Sequence, residues 1–258
     1  MTGQVSMRRD GAIAFVTLSH PGRLNAMSRA MWLQLRTLFE AIAGDTALRC
    51  VVVQGEGAAF CAGGDISEYP SFRFDEAQLR EFHEHEVWAG LAAMLGCEVP
   101  LVARIEGPCM GAGVEIASCC DIRLAGASAK FGAPIAKLGF PMAPREAALV
   151  RSAVGDALAR DMLLAAGVHG AQRLYDAGFL LQVLPDDAVA DAAVAHAQRI
   201  AALAPQAARL NKRALGMLAT AATASAVAQL LPDAYRYAGT GEHREGVDAF
   251  LAKRAPAF

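Results

Sequence analysis

The sequence predicts an α/β protein built around a buried, largely parallel sheet. A chain of 258 residues with 54% apolar content can bury one large core. The segment Cys50–Gly55 is rich in valine and ends in glycine, as is typical of a buried strand. A strand over residues 12–18 and a helix over residues 30–42 precede it. Strand, helix and strand in this order favour a parallel crossover connection.

The first elements are predicted to be a β-hairpin and a capped helix. An Asp-Gly turn at residues 10–11 separates two strand-like runs, residues 4–9 and 12–18. Ser28 suits the N-cap position of the helix over residues 30–42, because its hydroxyl can accept a hydrogen bond from a free backbone N–H.

A turn of small residues at positions 107–113 joins a further strand, residues 98–105, to a helix. Small residues let the backbone N–H groups at a helix start approach a ligand closely, and the helix dipole favours negative charge there. Glu115 follows these donors by one helical step, where an acid could move protons. The alternative is a turn kept small for packing, with Glu115 as a solvated acid in the first helical turn.

A second loop of small residues, at positions 58–66, follows the strand Cys50–Gly55. Each of the two loops can offer a backbone N–H. Two converging N–H donors form an oxyanion hole, which stabilises negative charge as it develops on a carbonyl oxygen.

One more strand, Ile122–Gly126, is predicted, and several helices are predicted later in the chain. Apolar periodicity indicates helices over residues 155–164, 170–177, 185–203 and 210–231. The third of these is strongly amphipathic, as is typical of a helix that packs on a core.

Composition argues against several classes of partner and site. The formal charge is −2 without a block of Lys or Arg, so we expect neither nucleic acid nor a membrane surface as a partner. No apolar run reaches the roughly 18 residues of a membrane helix, and the N-terminus lacks a signal-peptide core, so we expect a cytoplasmic protein.

The six cysteines lack C-x-x-C spacing. His-Glu-His at 83–85, on a helix predicted from 75 to 88, is interpreted as solvated, and no metal is expected.

Two motifs together give the chain a family resemblance. They are F-C-A-G-G-D-I at residues 60–66 and I-E-G-P-C-M-G-A-G-V-E-I-A-S-C-C-D-I-R at residues 105–123, with R-L-N-A-M upstream and K-F-G-A-P downstream. From Val5 to Phe258 the chain resembles the enoyl-CoA hydratase/isomerase (crotonase) superfamily. The resemblance implies a crotonase (ClpP-like) spiral of repeated ββα units over residues 1–190. It also implies a C-terminal helical trimerisation region over residues 191–258, giving a homotrimer or homohexamer.

The resemblance also implies roles for individual residues. The oxyanion donors would be the N–H groups of Gly64 and Ala112, and Glu115 would be the acid or base. Ala112 stands where glycine is common, and it keeps the N–H provided that the position does not need a positive φ. Phe250 and Lys253 match residues that reach the CoA of a neighbouring subunit. The contacts to the adenine and ribose of CoA would map to Arg23, Ala26, Ala62, Asp65 and Ile66.

Coenzyme A is expected only as part of an acyl-CoA substrate, with no permanently bound cofactor. Arg23 is our candidate for a phosphate contact, the alternative being a solvated loop arginine. Lys253 has the alternative of a lysine that extends along a terminal amphipathic helix. Ser67 stands where many relatives carry a basic residue, so one phosphate contact is expected to be weaker or supplied elsewhere. In relatives, residues 68–88 wall the acyl pocket, and we expect one or two aromatic residues at most to touch substrate, from Tyr69, Phe72 and Phe74.

One departure from the family pattern bears on the reaction. Hydratases of this family usually carry a glutamate directly after the F-G-x-P proline, where this chain has Ile135. Two carboxylates divide proton transfer well, so hydration is the expected reaction but with half of the pair replaced. The alternatives are isomerisation, thioester hydrolysis or decarboxylation in the same hole, and a non-catalytic acyl-CoA-binding scaffold. Glu146 could move into the gap, or it could be a first-turn acid favoured by the helix dipole.

Overall fold

The computed structural model describes residues 2–220 and 231–256. The strands of this part of the chain are β1 Gln4–Asp10, β2 Ile13–Ser19, β3 Cys50–Gly55, β4 Leu101–Ile105, β5 Pro108–Met110, β6 Ile122–Gly126, β7 Lys130–Gly132, β8 Val168–Gly170 and β9 Gln182–Leu184. A six-stranded sheet has the order β1-β2-β3-β4-β6-β9, and a three-stranded sheet has the order β5-β7-β8. The predicted α/β class is confirmed.

The large sheet begins as a hairpin and continues as a parallel sheet. Strands β1 and β2 are antiparallel, as the Asp-Gly turn predicts. Strand β3 then pairs parallel to β2, with Val52 opposite Phe15, which confirms the predicted crossover. The later pairs β3-β4, β4-β6 and β6-β9 are also parallel, so the carboxyl ends of these strands lie at one edge of the sheet.

The α-helices in the described ranges are α1 Arg29–Gly44, α2 Glu76–Glu81, α3 Trp88–Gly96, α4 Ala112–Ser118, α5 Pro144–Val154, α6 Asp156–Leu164, α7 Ala171–Asp176, α8 Val189–Ala201, α9 Pro205–Thr220 and α10 Gly241–Leu251. Helix α1 starts as predicted, with the Ser28 side chain accepting a hydrogen bond from the N–H of Met31 at 3.3 Å. The predicted helix over residues 210–231 lies partly outside the described residues.

Helices cover the large sheet on both faces. Helix α1 lies on one side together with α3. On the other side, α8 presents Ala193 and Ala197 to a cluster that includes Phe15, Val52 and Val102 from the strands. Because both faces are buried, the strands have nearly continuous apolar sequences such as that of β3.

The segment between α2 and α3 departs from the prediction. Residues Phe82–Val87 form a π-helical stretch instead of continuing the α-helix. A π-turn rotates the side chains that follow, and such turns are frequent at functional sites. His83 is buried while His85 is exposed. The interpretation of residues 83–85 as a solvated stretch is therefore wrong for His83.

The C-terminal helix α10 folds back onto its own chain. It packs against a short 3₁₀ turn, Ile135–Leu138, and a Cβ at Gly246 would collide with the backbone of Leu138. This contact brings the end of the chain to the carboxyl edge of the large sheet. Within the described ranges, we find no helix whose length and apolar content would let it span a membrane.

Candidate functional site

The two loops of small residues lie side by side. Cys61 and Cys109 form an isolated parallel bridge, and the N–H of Met110 donates to the carbonyl of Cys61 at 2.8 Å. A Cβ on Gly111 would lie only 3.6 Å from the Cα of Gly63. The loops that follow two separate strands therefore converge, as an oxyanion hole requires.

Gly64 is oriented by a backbone bridge to Met27. The N–H of Met27 donates to the carbonyl of Gly63 at 2.8 Å, and the N–H of Asp65 donates to the carbonyl of Met27 at 2.8 Å. Because successive backbone groups along an extended segment point to opposite sides, the N–H of Gly64 points away from Met27. No acceptor among the described residues takes this N–H.

Asn25 holds the loop that carries Met27. Both Leu24 and Asn25 have positive φ, at 47° and 60°. Asparagine tolerates this conformation better than most residues. Its amide donates to the carbonyls of Ala59 at 2.7 Å and Glu56 at 2.9 Å, and its oxygen accepts from the N–H of His20 at 3.0 Å. Asn25 lies inside the R-L-N-A-M motif, but sequence reasoning gave it no role.

Position 112 does not need a positive φ, so alanine is compatible with an oxyanion donor there. The positive φ falls on Gly111, at 47°, which caps helix α4, whereas Ala112 is the first helical residue and has no positive φ. The N–H of a first helical residue has no partner inside the helix. Within the described chain, no other group accepts it. Ala112 therefore keeps a free donor beside that of Gly64.

Both donors and Glu115 line one cavity of about 280 Å³. Glu115 is only 9% exposed, and we find no hydrogen-bond partner for its carboxyl group among the described residues. Burial raises the pKa of Glu115 to about 8; repulsion from Glu146 adds to the shift and the Arg73 charge opposes it. The alternative of a solvated first-turn acid is therefore wrong. A pKa close to neutral pH lets one carboxyl group both take and give a proton.

Glu146 lies behind the cavity wall. It is 1% exposed, in the first turn of α5, and its Oε1 is 3.1 Å from Nδ1 of His83, which itself lines the cavity. Burial raises the pKa of Glu146 to about 8. Ile135, which stands where the resemblance implies a second glutamate, also lines the cavity. Of the described residues that line the cavity, Glu115 alone carries a carboxyl group.

Sequence reasoning missed Arg73 and His83, which also line the cavity. The Arg73 guanidinium lies between two rings, 4.3 Å from the centroid of Tyr69 and 3.9 Å from that of Phe140. Burial and the Arg73 charge hold the pKa of His83 well below its usual range, so its imidazole is neutral. The aromatic residues around position 73 were the available signal, because arginine stacks on aromatic faces.

Of the three aromatic candidates, Tyr69 lines the cavity. Phe72 instead packs on Phe82, with ring centroids 4.7 Å apart, and Phe74 lies against His243 and Arg244. The expectation that one or two aromatics reach the pocket is consistent with this arrangement. The Tyr69 hydroxyl lies so close to Gly64 that a Cβ at position 64 would collide with it.

The residues matched to CoA contacts lie near the cavity mouth. Ala62 and Ile66 line the cavity itself, and Ala26 is buried beside the loop. The half-exposed Arg23 donates to the Asp65 carboxylate at 2.9 Å, so its charge is already paired.

The two C-terminal candidates lie one turn apart at the end of α10, where the N–H of Lys253 donates to the carbonyl of Phe250 at 3.1 Å. Phe250, on α10, lines the cavity of its own chain. The contact with a neighbouring subunit's CoA that the resemblance implies stays a prediction. Lys253 is exposed, just beyond the end of α10.

Comparisons with known proteins identify the family of this chain. A family model described as enoyl-CoA hydratase/isomerase matches residues 8–258. The 2,3-dehydroadipyl-CoA hydratase of Escherichia coli (strain K12) is 34% identical over 256 residues, covering 99% of this chain and 98% of that protein.

Solved structures have the same fold. An enoyl-CoA hydratase/carnithine racemase from Magnetospirillum magneticum is 37% identical, with a TM-score of 0.81 over 98% of this chain and 94% of that chain. An enoyl-CoA hydratase/isomerase from Mycobacterium paratuberculosis is 27% identical, with a TM-score of 0.87 over 96% of this chain and 98% of that chain.

Proposed function

Because the chain belongs to the enoyl-CoA hydratase/isomerase family, we propose that it hydrates 2-enoyl-CoA thioesters to 3-hydroxyacyl-CoA. The observation that carries this proposal is the cavity itself. Two backbone N–H groups and one buried carboxyl group line the same space, and none of the three has a hydrogen-bond partner among the described residues.

The backbone donors would act on the thioester oxygen. When water attacks the β-carbon of a 2-enoyl thioester, the π electrons move toward the thioester and negative charge develops on its oxygen. The N–H groups of Gly64 and Ala112 would stabilise this charge more strongly than they stabilise the neutral carbonyl. Loss of one such donor typically reduces kcat by about 10²–10³-fold.

Glu115 would move the protons in both halves of the addition. Its carboxylate takes a proton from water while the water oxygen forms a bond to the β-carbon. The resulting carboxylic acid then gives that proton to the α-carbon as the enolate collapses, which restores the carboxylate. Each turnover starts from ionised Glu115, so the rate should rise with pH through the Glu115 pKa of about 8 and level off about one pH unit above it.

Double-bond isomerisation is the second candidate, and Ile135 favours it. With an apolar side chain at that position, Glu115 is the carboxyl group that faces the cavity among the described residues. A single carboxyl group is sufficient to carry a proton from one carbon to another, whereas hydration normally divides the work between two.

The experiment is to incubate purified protein with crotonyl-CoA and, separately, with a 3-enoyl-CoA, and to identify the products. Formation of 3-hydroxybutyryl-CoA supports hydration. Conversion of the 3-enoyl to the 2-enoyl thioester without hydration would assign isomerisation, instead of hydration, as the reaction. Saturable binding without turnover of either substrate would instead indicate an acyl-CoA-binding scaffold.

We also propose that the protein assembles as a trimer or a hexamer. Support comes from apolar side chains exposed on and beside α9, namely Leu203, Leu210 and Leu215. Single molecules rarely leave several large apolar side chains together in water. Light scattering on purified protein would measure the assembly mass, and a monomer mass at micromolar concentration would contradict the proposal.

A further inference from the structure

Within the part of the chain that the structure describes, Arg73 is a buried cation without an acidic partner. Its side chain is 1% exposed, and it forms no ion pair with any Asp or Glu of the described residues. The surrounding acids do not supply the missing charge, because burial raises the pKa of both Glu115 and Glu146 to about 8 and favours their neutral forms. Arginine is almost never fully buried in proteins unless it is paired.

The hydrogen-bonding capacity of Arg73 is also incompletely used. Its Nη2 donates to the Tyr237 hydroxyl at 3.1 Å, and its Nη1 lies 3.5 Å from Nε2 of His83, at the limit of a hydrogen bond. Its Nε is buried and has no partner. A guanidinium carries five N–H donors in a planar fork. The Arg73 guanidinium therefore has N–H groups inside the cavity wall that lack an acceptor among the described residues.

The position of Arg73 relative to the oxyanion hole follows from Tyr69. The tyrosine hydroxyl lies against Gly64, and the face of the same ring lies 4.3 Å from the Arg73 guanidinium carbon. One tyrosine side chain therefore separates the guanidinium from the oxyanion donor. An acyl chain whose thioester oxygen lies at Gly64 would extend along this ring toward Arg73.

We propose that Arg73 binds a carboxylate at the far end of the acyl group, so that the preferred substrates are CoA thioesters of short dicarboxylic acids. The inference rests on the proposed acyl-CoA function. A guanidinium fork matches the two oxygens of a carboxylate, and a carboxylate supplies the charge that the pocket lacks. An extended chain gains roughly 1.2 Å per bond, so a six-carbon dicarboxylic acyl group is long enough to pass one aromatic ring.

The test compares two six-carbon 2-enoyl-CoA substrates, one ending in a carboxylate and one ending in a methyl group. We expect wild-type kcat/KM to favour the carboxylate by about 10- to 100-fold, as for hydrogen bonds to a charged group. Arg73→Met should abolish the preference. Because the Arg73 charge also lowers the pKa of Glu115, the readout is the ratio of the two kcat/KM values rather than either rate alone. Arg73→Lys, which keeps the charge without the fork, should give an intermediate preference.

The control is Arg80→Met. Arg80 also stacks on an aromatic ring, that of Tyr235 at 4.8 Å, but it pairs with Glu76 and lies outside the cavity lining. The wild-type preference should persist in this variant. The inference is wrong if the wild type does not prefer the carboxylate, or if Arg73→Met lowers kcat/KM equally for both substrates, as a purely structural arginine would.

A binding measurement separates this inference from the proposed reaction. Adipyl-CoA and hexanoyl-CoA are saturated, so their affinities can be measured by calorimetry without turnover. If adipyl-CoA binds more tightly and only Arg73→Met removes the difference, the carboxylate site holds even where hydration is not observed. If hydration occurs and the two affinities are equal, the proposed function holds and the carboxylate site does not.

Discussion

Replacing Glu115 with glutamine should abolish turnover and, near neutral pH, stabilise the folded protein. In the fold, burial and repulsion from Glu146 raise the pKa of Glu115 from its usual 4.5 to about 8. In the unfolded chain the carboxyl group ionises freely at pH 7, and this favours unfolding. At about 1.4 kcal/mol per pH unit, the roughly 2.5 units between 4.5 and 7 cost the folded state about 3 kcal/mol.

The stability that Glu115→Gln gains over the wild type should depend on pH in a defined direction. Consider a group whose pKa is higher in the folded protein than in the unfolded chain. Its contribution to stability is complete below the unfolded pKa, and this contribution is lost as the pH rises toward the folded pKa. Below about pH 4.5, therefore, Glu115 is neutral in both states, and the wild type and Glu115→Gln should have similar free energies of unfolding. The variant should become the more stable protein as the pH rises, and the difference should level off above about pH 8.

Urea unfolding followed by tryptophan fluorescence at several pH values between 5 and 8.5 measures this difference, and an acyl-CoA turnover assay completes the test. The matched control is Glu40→Gln, because Glu40 is exposed and pairs with Arg36 on the surface of α1. It should leave both turnover and the pH dependence of stability unchanged. The reasoning is refuted if Glu115→Gln gains no stability between pH 5 and pH 8, or if it keeps wild-type turnover.

Two further variants test the groups around Glu115. Glu146→Gln removes a carboxyl group whose ionisation raises the pKa of Glu115 and leaves the cavity lining intact, so the pH–rate profile should move to lower pH while the plateau rate stays within a few-fold. An unchanged profile would contradict the coupling. Ala112→Pro removes one backbone N–H at the first position of α4, where proline is well tolerated. The fold should persist by circular dichroism while kcat falls about 10²–10³-fold, and Ala112→Ser should keep most of the activity. Full activity in Ala112→Pro would exclude that N–H from the oxyanion hole.

Local signals in the sequence were sufficient for much of the fold. The hairpin turn, the Ser28 cap and the valine-rich strand β3 each depend on residues close together in the chain, and the structure confirms all three. The two loops of small residues were also identifiable, because each directly follows a predicted strand. Their convergence required only that parallel strands end at the same edge of a sheet.

The interior of the site could not be predicted in the same way. Arg73 is buried because Phe140 and Tyr237, distant in sequence, close over it. The burial of His83 depends on a π-helical turn that replaces the predicted α-helix. Ile135 was recognised as a departure from the family pattern, but no local signal indicated that His83 lies between Glu146 and the cavity.

The sequence alone could not show whether position 112 has a positive φ. Alanine at position 112 is compatible with an oxyanion donor if the strained backbone lies elsewhere, and the positive φ falls on Gly111. The unusual conformation and the donor therefore belong to neighbouring residues, so a side chain at position 112 does not remove the donor.

A crystal structure with butyryl-CoA, which is saturated and cannot be hydrated, would test the central claim most directly. We expect the thioester oxygen to lie about 2.7–3.1 Å from the backbone nitrogens of both Gly64 and Ala112, with the Glu115 carboxyl group beside the α- and β-carbons. A thioester oxygen bound elsewhere, or two nitrogens too far apart to share it, would contradict the account.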